Sequence, residues 1–566
     1  IPPVLLSIKP DSSSIDFPIS NGEIVLTFDE YVILKDVQKN LYTSPPLKKM
    51  PKTKIRGKNI IVDFQEKLDS NTTYSLFFRN SIVDNNEGNP FYQYVYTFST
   101  GKHIDSLMTS GNVYISTTLL PAKDVTVAFY KDDCDSVLFN SLPDALAKTD
   151  DFGYFVVRNL KPIRYRVYAF RDLNNNNLYD PENEEVAFID SLFIPSTVMN
   201  NSLKELIAVG EKDTLLALSR PSQMNLYMFK ENPDKQFIRE SKMLQPQMAY
   251  IKFFAPWADV DSLSIDGIDS KHIKKEFNIR RDSLTVWITD TSYVFRDTLK
   301  MAVSYMKTDT NSVLSPFLEE LTLVAPKPKQ LDIRGRRERL QAQEKVKRED
   351  LLEFEVKVEP ALLAQQGFRM EFKSPLSQIR RDSIFITSKN PRGDTTFVNY
   401  LIIEDSLSSR FYNLLISDRV LPGHEYTLNM LPRAFTDIYR NYNDTVVKKG
   451  ALPREDRLSG LSLEFVNVDG SYIVEITNVT RDRVFRTAVV SKNGKVSFPY
   501  LQAGKYSVKI IQDLNGNGVI DPGILLQKIQ PEKVRLYTLA SGSAIISLPE
   551  STELNQVVDI KELFSK

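Results

Sequence analysis

The chain carries one cysteine in 566 residues, two tryptophans, three histidines and no long apolar run, and each shortage removes a class of function. Cys134 has no second cysteine to pair with, and its neighbours Asp132, Asp133 and Asp135 disfavour a thiolate, so it is expected to be inert. His103, His272 and His424 are too scattered for a His-rich metal centre. No stretch of about 18 apolar residues occurs, so no segment reads as a membrane-spanning helix. Lys plus Arg and Asp plus Glu both total 72, which leaves no net field to draw in nucleic acid or an anionic membrane; nucleic acid is not an expected partner. Catalytic patterns are lacking too: there is no His-Glu-x-x-His, Gly-x-Ser-x-Gly, Gly-x-x-x-x-Gly-Lys or Cys-x-x-Cys. With 72 acids, a run such as Asp132, Asp133 and Asp135 reads as a solvated turn rather than an acid and base pair, and the expectation is a chain without catalytic activity.

What is present is β structure. Hydrophobic residues make up 42% and charged residues 25%, enough to bury cores, and the length implies about four domains, or more if they are small sandwiches. Period-two alternation recurs at Ile24, Leu26, Phe28; Val125, Val127, Phe129; Tyr165, Val167, Ala169; Leu284, Val286, Ile288; and Tyr506, Val508, Ile510, as half-buried strands require. Turn clusters such as Pro10 to Ser14, Asn85 to Pro90 and Lys492-Asn493-Gly494 separate these runs. Phe (32) and Tyr (25) suit strand cores and cross-strand pairs, and Trp257 and Trp287 are expected in the same role. One stretch differs: after Pro326-Lys327-Pro328-Lys329, residues 334–350 are rich in charged helix formers and read as a solvated linker or short helix.

Two segments repeat each other. Asp172-Leu173-Asn174-Asn175-Asn176-Asn177-Leu178-Tyr179-Asp180-Pro181 returns as Asp513-Leu514-Asn515-Gly516-Asn517-Gly518-Val519-Ile520-Asp521-Pro522. In the first, Asp172, Asn174, Asn176 and Asp180 take positions 1, 3, 5 and 9 of an oxygen-ligand loop for Ca²⁺, with the Leu178 carbonyl at position 7. Asn177 stands at the turn that usually needs Gly, and a further carboxylate would come from Glu182, Glu184 or Glu185. In the second, Asp513, Asn515, Asn517, the Val519 carbonyl and Asp521 correspond; Gly518 keeps the turn, but position 12 is Ile524 and no further acid is near in sequence, so weaker binding is expected. The alternative for both is an Asn-rich turn whose side chains bond their own backbone without a metal. An offset of 341 holds from Gly153 and Gly494 to Pro181 and Pro522, marking a duplicated module. Asn71 to Leu76 resembles Gly423 to Leu428, which extends the duplication upstream.

Ile1 to Leu5, Ile24 to Val32, Leu68 to Tyr74 and Tyr96 to Gly101 together resemble the bacterial Ig-like domain typified by surface-layer proteins. Asp151 to Phe155, a Tyr-x-Val strand and the Asp-x-Asn-x-Asn loop resemble carboxypeptidase-regulatory-like and adhesin B-type modules. The resemblance implies an all-β chain, a multidomain array of Ig-like and prealbumin-like β-sandwiches. The expected domains are 1–101, an Ig-like domain; 102–220, a loop-bearing module; 221–326, a sandwich; 327–455, the charged linker plus a sandwich; and 456–566, a second loop-bearing module. The combination is similar to Ig-like lipoproteins of Bacteroidota outer membranes. Residue 1 follows no leader, so a removed signal peptide and a lipid anchor before it are expected. The resemblance implies a non-catalytic scaffold or accessory subunit of an outer-membrane β-barrel complex serving assembly, secretion or transport, on the cell-surface or periplasmic face, with other envelope proteins as partners. A surface adhesin or glycan-binding protein is the alternative.

Overall fold

A computed structural model describes residues 2–91, 94–131, 134, 136–198, 220–245, 247–290, 298–310, 312–324, 351–405 and 408–565. The acidic triplet Asp132, Asp133 and Asp135, the prolines at 326 and 328, and the charged stretch 334–350 lie outside the described residues. The architecture is all-β and multidomain, with antiparallel sheets paired around separate cores. Every alternating run named from the sequence supplies core: Ile24, Leu26 and Phe28 in domain 1, Leu284, Val286 and Ile288 in domain 3, and Tyr506, Val508 and Ile510 in domain 5. Period two puts such residues on one face of a strand, and burying that face drives the pairing of sheets.

The two loop-bearing modules share one topology. In domain 2 the strand Leu107–Ile115 pairs antiparallel with Tyr154–Leu160 and parallel with Met224–Met228. In domain 5 Leu458–Val466 pairs antiparallel with Gly494–Gln502 and parallel with Glu553–Asp559. The second sheets also match: Ala145–Lys148, Thr126–Tyr130, Arg166–Phe170 and Val186–Phe188 stand in the order that Val484–Val490, Ser471–Thr477, Gly504–Asp513 and Val534–Leu536 repeat. The boundary expected at residue 220 moves as a result. Met224, Leu226 and Met228 are core residues of domain 2, because the closing strand crosses back beside the first one before domain 3 begins.

Several strands of domain 2 depart from half-burial, the short Val186–Phe188 among them. Thr126–Tyr130 and Arg166–Phe170 are buried on both faces. Val127, Phe129, Val167 and Ala169 face the inner core, while Ala128, Tyr130, Tyr168 and Phe170 join an outer cluster with Val137, Leu138, Tyr179, Phe229 and Leu525. Leu525 comes from domain 5, so the duplicated modules are packed on each other. In return, Leu119 of domain 2 packs on Ile473, Ile511 and Val534, the outer face of the corresponding sheet in domain 5.

Other junctions continue this contact. The carboxylate of Glu276 in domain 3, 5% exposed, accepts hydrogen bonds from Ser409 Oγ (2.5 Å) and Arg410 Nε (3.0 Å) of domain 4. Tyr500 and Leu458 of domain 5 pack into the core of domain 4. Domains 2, 3, 4 and 5 therefore close on themselves. Domain 1 is fixed to domain 2 by Arg79 to Asp124 (2.9 Å), Ser75 Oγ to Asn159 Oδ1 (2.8 Å) and the Leu146 N–H to Ser44 Oγ (2.9 Å).

Candidate functional site

Both Asp-Asn loops leave the end of a core strand and turn back to a short outer one, Val186–Phe188 or Val534–Leu536. The turns need left-handed backbone at two places, filled by Asn175 (φ 57°) and Asn177 (φ 58°) in the first loop and Gly516 (φ 72°) and Gly518 (φ 75°) in the second. Asn tolerates this region better than most residues, which is why the first loop holds the same path without glycine.

The hydrogen bonds repeat between the loops. Asp172 accepts from the N–H groups of Asn176 (3.1 Å) and Asn177 (3.0 Å); Asp513 accepts from Gly516 (2.8 Å), Asn517 (3.1 Å) and Gly518 (3.1 Å). Asn174 and Asn515 each accept from the N–H two residues on, both at 3.0 Å, and Leu178 and Val519 donate their N–H to Asn176 and Asn517, both at 2.8 Å. Asp180 accepts from Glu182 N–H (3.3 Å) and Asn183 Nδ2 (2.9 Å), whereas Asp521 turns inward to Asn515 Nδ2 (2.6 Å) and Asn517 Nδ2 (2.9 Å).

Sequence reading found no third acid for the second loop, and the fold supplies one. Glu184 accepts the N–H of Leu173 (2.8 Å) and of Asp180 (3.0 Å); Glu532 accepts the N–H of Leu514 (2.7 Å) and of Asp521 (3.0 Å). The two glutamates do the same work, and both are buried, at 1% and 6% exposure. Burial pushes each carboxyl above the ordinary glutamate value against the lowering pull of its N–H donors, and the two aspartates of its loop add to the rise. The shared sequence signal is the strand that follows, Glu184-Glu185-Val186 and Glu532-Lys533-Val534, rather than the distance from the aspartate.

Chemically, Asp172, Asn174, Asn176, the Leu178 carbonyl, Asp180 and Glu184, with Asp513, Asn515, Asn517, the Val519 carbonyl, Asp521 and Glu532 in the second loop, offer oxygen atoms only, the donor class of a hard cation. Among the described residues no three Asp, Glu, His or Cys side chains converge closely enough to hold a metal ion. The carboxylates are instead engaged with N–H groups of their own loops. As they stand, both loops are complete hydrogen-bonded turns.

Where the loops meet the domain junction, Glu231 ties them together, accepting from Tyr179 Oη (3.2 Å) and from the N–H of Leu525 (2.7 Å). Gln530 Nε2 reaches the Phe188 carbonyl (3.1 Å) and Asp190 (2.8 Å), and Arg481 donates to the Thr118 carbonyl (2.7 Å). Beside these contacts lies a cleft of about 280 Å³ shared by three domains, lined by Thr117, Glu185, Trp257, Arg280, Ile520 and Asp521 among others. Trp287 is fully buried, as expected of a strand-core tryptophan. Trp257 is not in a strand core: it sits in a loop, 42% exposed, with φ at 60°. Its N–H donates to the Arg280 carbonyl (2.8 Å), and this pinning holds a bulky residue in a backbone region it rarely adopts.

A family model for a bacterial Ig-like domain matches residues 1–100, as the resemblance over 1–101 implied. No curated protein matches the chain. Among solved structures, the surface-layer protein rSbsC aligns at 10% identity with a TM-score of 0.15, covering 76% of this chain and 64% of that one. The major pilin subunit BcpA of Bacillus cereus aligns at 8% identity with a TM-score of 0.13, over 80% of this chain and 99% of the pilin. The pilus 2b backbone protein of group B streptococcus aligns at 10% identity with a TM-score of 0.12, over 48% and 95%. The chain thus spans just under two thirds of the surface-layer protein it is similar to.

Proposed function

We propose that the protein is a non-catalytic structural protein of the cell envelope, a scaffold or accessory subunit held at an outer membrane by a lipid anchor before residue 1 and associated with a β-barrel complex. The observation that carries this reading is the docking of domain 5 on domain 2, which turns a string of sandwiches into one closed body with preset surfaces. A flexible tether gains nothing from such a contact; a scaffold that positions partners does. Ca²⁺ drawn to the loop oxygens would serve the same end, because carboxylates, amides and carbonyls are the donors of a hard cation and ligation would stiffen the turn. The test is purification of the membrane-anchored protein in mild detergent, followed by crosslinking and mass spectrometry. Reproducible crosslinks to an outer-membrane barrel are expected, and recovery of monomer alone would sink the scaffold reading.

Trp257 favours a second reading, glycan binding, since an exposed ring at the cleft shared by three domains can stack on a sugar. Trp287 is buried, so saccharide-dependent quenching of tryptophan emission would report on Trp257; emission that no saccharide alters would remove this alternative.

A further inference from the structure

A net charge of zero conceals one strongly basic surface. Lys48, Lys49, Lys52, Lys54, Arg56 and Lys58 place six cations within eleven residues with no acid among them, and all six are exposed. The strand Lys52–Arg56 forms the edge of a four-stranded sheet in domain 1. Its register sets Lys52, Lys54 and Arg56 opposite Asp63, Ile61 and Asn59, on the face away from the core that takes Ile60 and Val62. The same outer face continues through Val25 to Lys9 on the far edge, with Val25 and Ile61 half-buried at its centre.

Acids offset this field only in part, three against six cations. Asp63 pairs with Lys54 (2.7 Å), its register neighbour Glu23 lies beside it, and Glu66 spends its two oxygens on the N–H groups of Lys48 and Lys49 (3.0 Å each). Lys48, Lys49, Lys52 and Arg56 have no ion pair among the described residues. One exposed apolar side chain, Met50, stands among them; Ile55, also exposed, pairs with Ile60 and lies on the other face of the strand.

Orientation completes the argument. The opposite sheet of domain 1, which contains Tyr42–Ser44 and Thr73–Phe77, is the one that meets domain 2, through Ser44 and Ser75. The basic face therefore points away from the rest of the molecule, free to lie against a flat partner. We propose that this face docks on an anionic lipid bilayer, its lysines and Arg56 on the headgroup phosphates and Met50 in the interfacial layer. Long cationic stems spread over an open sheet, flanked by apolar residues, fit a lipid surface better than they fit a shaped protein pocket or a nucleic-acid groove. The inference stands whether or not the scaffold reading holds.

The test uses the full chain, without a lipid anchor, and vesicles of phosphatidylcholine with and without phosphatidylglycerol, in sedimentation assays at low and high salt. Each unpaired cation near such a surface contributes about fivefold in partitioning, so the variant K48Q/K49Q/K52Q/R56Q should lose more than roughly a hundredfold at low salt. The variant M50S should weaken binding by roughly threefold and leave its salt dependence intact. A control that neutralises four exposed lysines elsewhere, Lys448, Lys492, Lys495 and Lys505, should bind like the parent. All the changed positions are exposed, and unchanged circular dichroism and melting would confirm folding. Equal binding to vesicles lacking phosphatidylglycerol, an equal loss in the control variant, or binding of single-stranded RNA as tightly as of vesicles would overturn the proposal.

Discussion

Leu525→Ala should loosen the hold of domain 5 on domain 2 without unfolding either. Leu525 is 6% exposed among Tyr130, Tyr168, Phe170, Tyr179, Phe188 and Phe229, while its neighbour Leu526 is 62% exposed. Burying a leucine is worth about 1.5–3 kcal/mol, and truncation in a packed site costs about 2–5 kcal/mol; a surface loop that can partly collapse falls at about 2–3 kcal/mol. A multidomain chain does not melt in two states, so the loss is best read locally, as amide hydrogen exchange in the segment 521–532. The amides of Ile524, Leu525 and Ile529 are protected there by bonds to Ile529 (2.8 Å), Glu231 (2.7 Å) and Ile524 (3.0 Å). An opening free energy lowered by about 2–3 kcal/mol speeds their exchange by roughly 30- to 150-fold, whereas Leu526→Ala should change it by no more than about twofold. Equal protection in the two variants would refute the claim that apolar burial holds the junction.

Four further outcomes follow from contacts elsewhere. Arg410→Met strands the buried Glu276 carboxylate and should cost about 3–5 kcal/mol at the junction of domains 3 and 4, measured by denaturation, with Glu276→Gln in the same background restoring part of the loss. Gly367→Ala should destabilise domain 4 by about 2 kcal/mol or more in the same assay, because φ is 60° and an added Cβ would collide with the carbonyl oxygen of Leu414. Folded Glu184 and Glu532 have raised values, so each binds more protons than in the unfolded chain. Their contribution to stability is full below the ordinary glutamate value and is lost as pH rises through the raised one. Asp84 is held well below its usual value, chiefly by the Glu87 N–H, so its contribution to domain 1 runs the other way and is lost as pH falls. Calorimetry across that range should show modules 2 and 5 and domain 1 shifting in opposite senses. Millimolar Ca²⁺ should flatten the slope of the modules if it binds, and an identical melting profile with and without Ca²⁺, in the parent and in Asp172→Ala, would leave only the hydrogen-bonded turns.

Much of the fold was legible because strand cores obey a local period. Ile24, Leu26 and Phe28 announce themselves within five residues, and the constant offset of 341 marks the repeated module. Three things were not local. The closing strand Met224–Met228 lies parallel to a strand more than a hundred positions earlier, and no sequence spacing marks that pairing. Trp257 sits in a run that looks like a strand, but hydrogen bonds to the turn at Arg280 and Arg281 decide its conformation. Net charge, an average over the whole chain, was blind to six cations gathered on one sheet edge.

Glu532 was missed for a reason that also explains the junction. Glu184 follows Asp180 by four positions and Glu532 follows Asp521 by eleven, so the second loop carries seven extra residues relative to the first. The ends of this insertion are drawn together by the same bond that closes the shorter loop, Glu532 N–H to the Asp521 carbonyl (3.1 Å) matching Glu184 N–H to that of Asp180 (2.9 Å). The extra length is looped out, and it holds Leu525 and Gln530, two of the groups that reach domain 2. Deleting residues 524–530 leaves Asp521-Pro522-Gly523-Pro531-Glu532, as long as Asp180-Pro181-Glu182-Asn183-Glu184. The first module shows that this shorter loop can keep both glutamate bonds, so domain 5 should retain its melting temperature within about two degrees, as expected of a tolerated loop change. The junction should open, seen as a larger radius of gyration in solution scattering and loss of protection at Phe229 and Val186, whose N–H groups bond each other's carbonyls on the face that Leu525 covers. Unchanged scattering and protection would mean that Leu119 and Arg481 alone hold the modules together, and that the insertion is a passenger on an interface built without it.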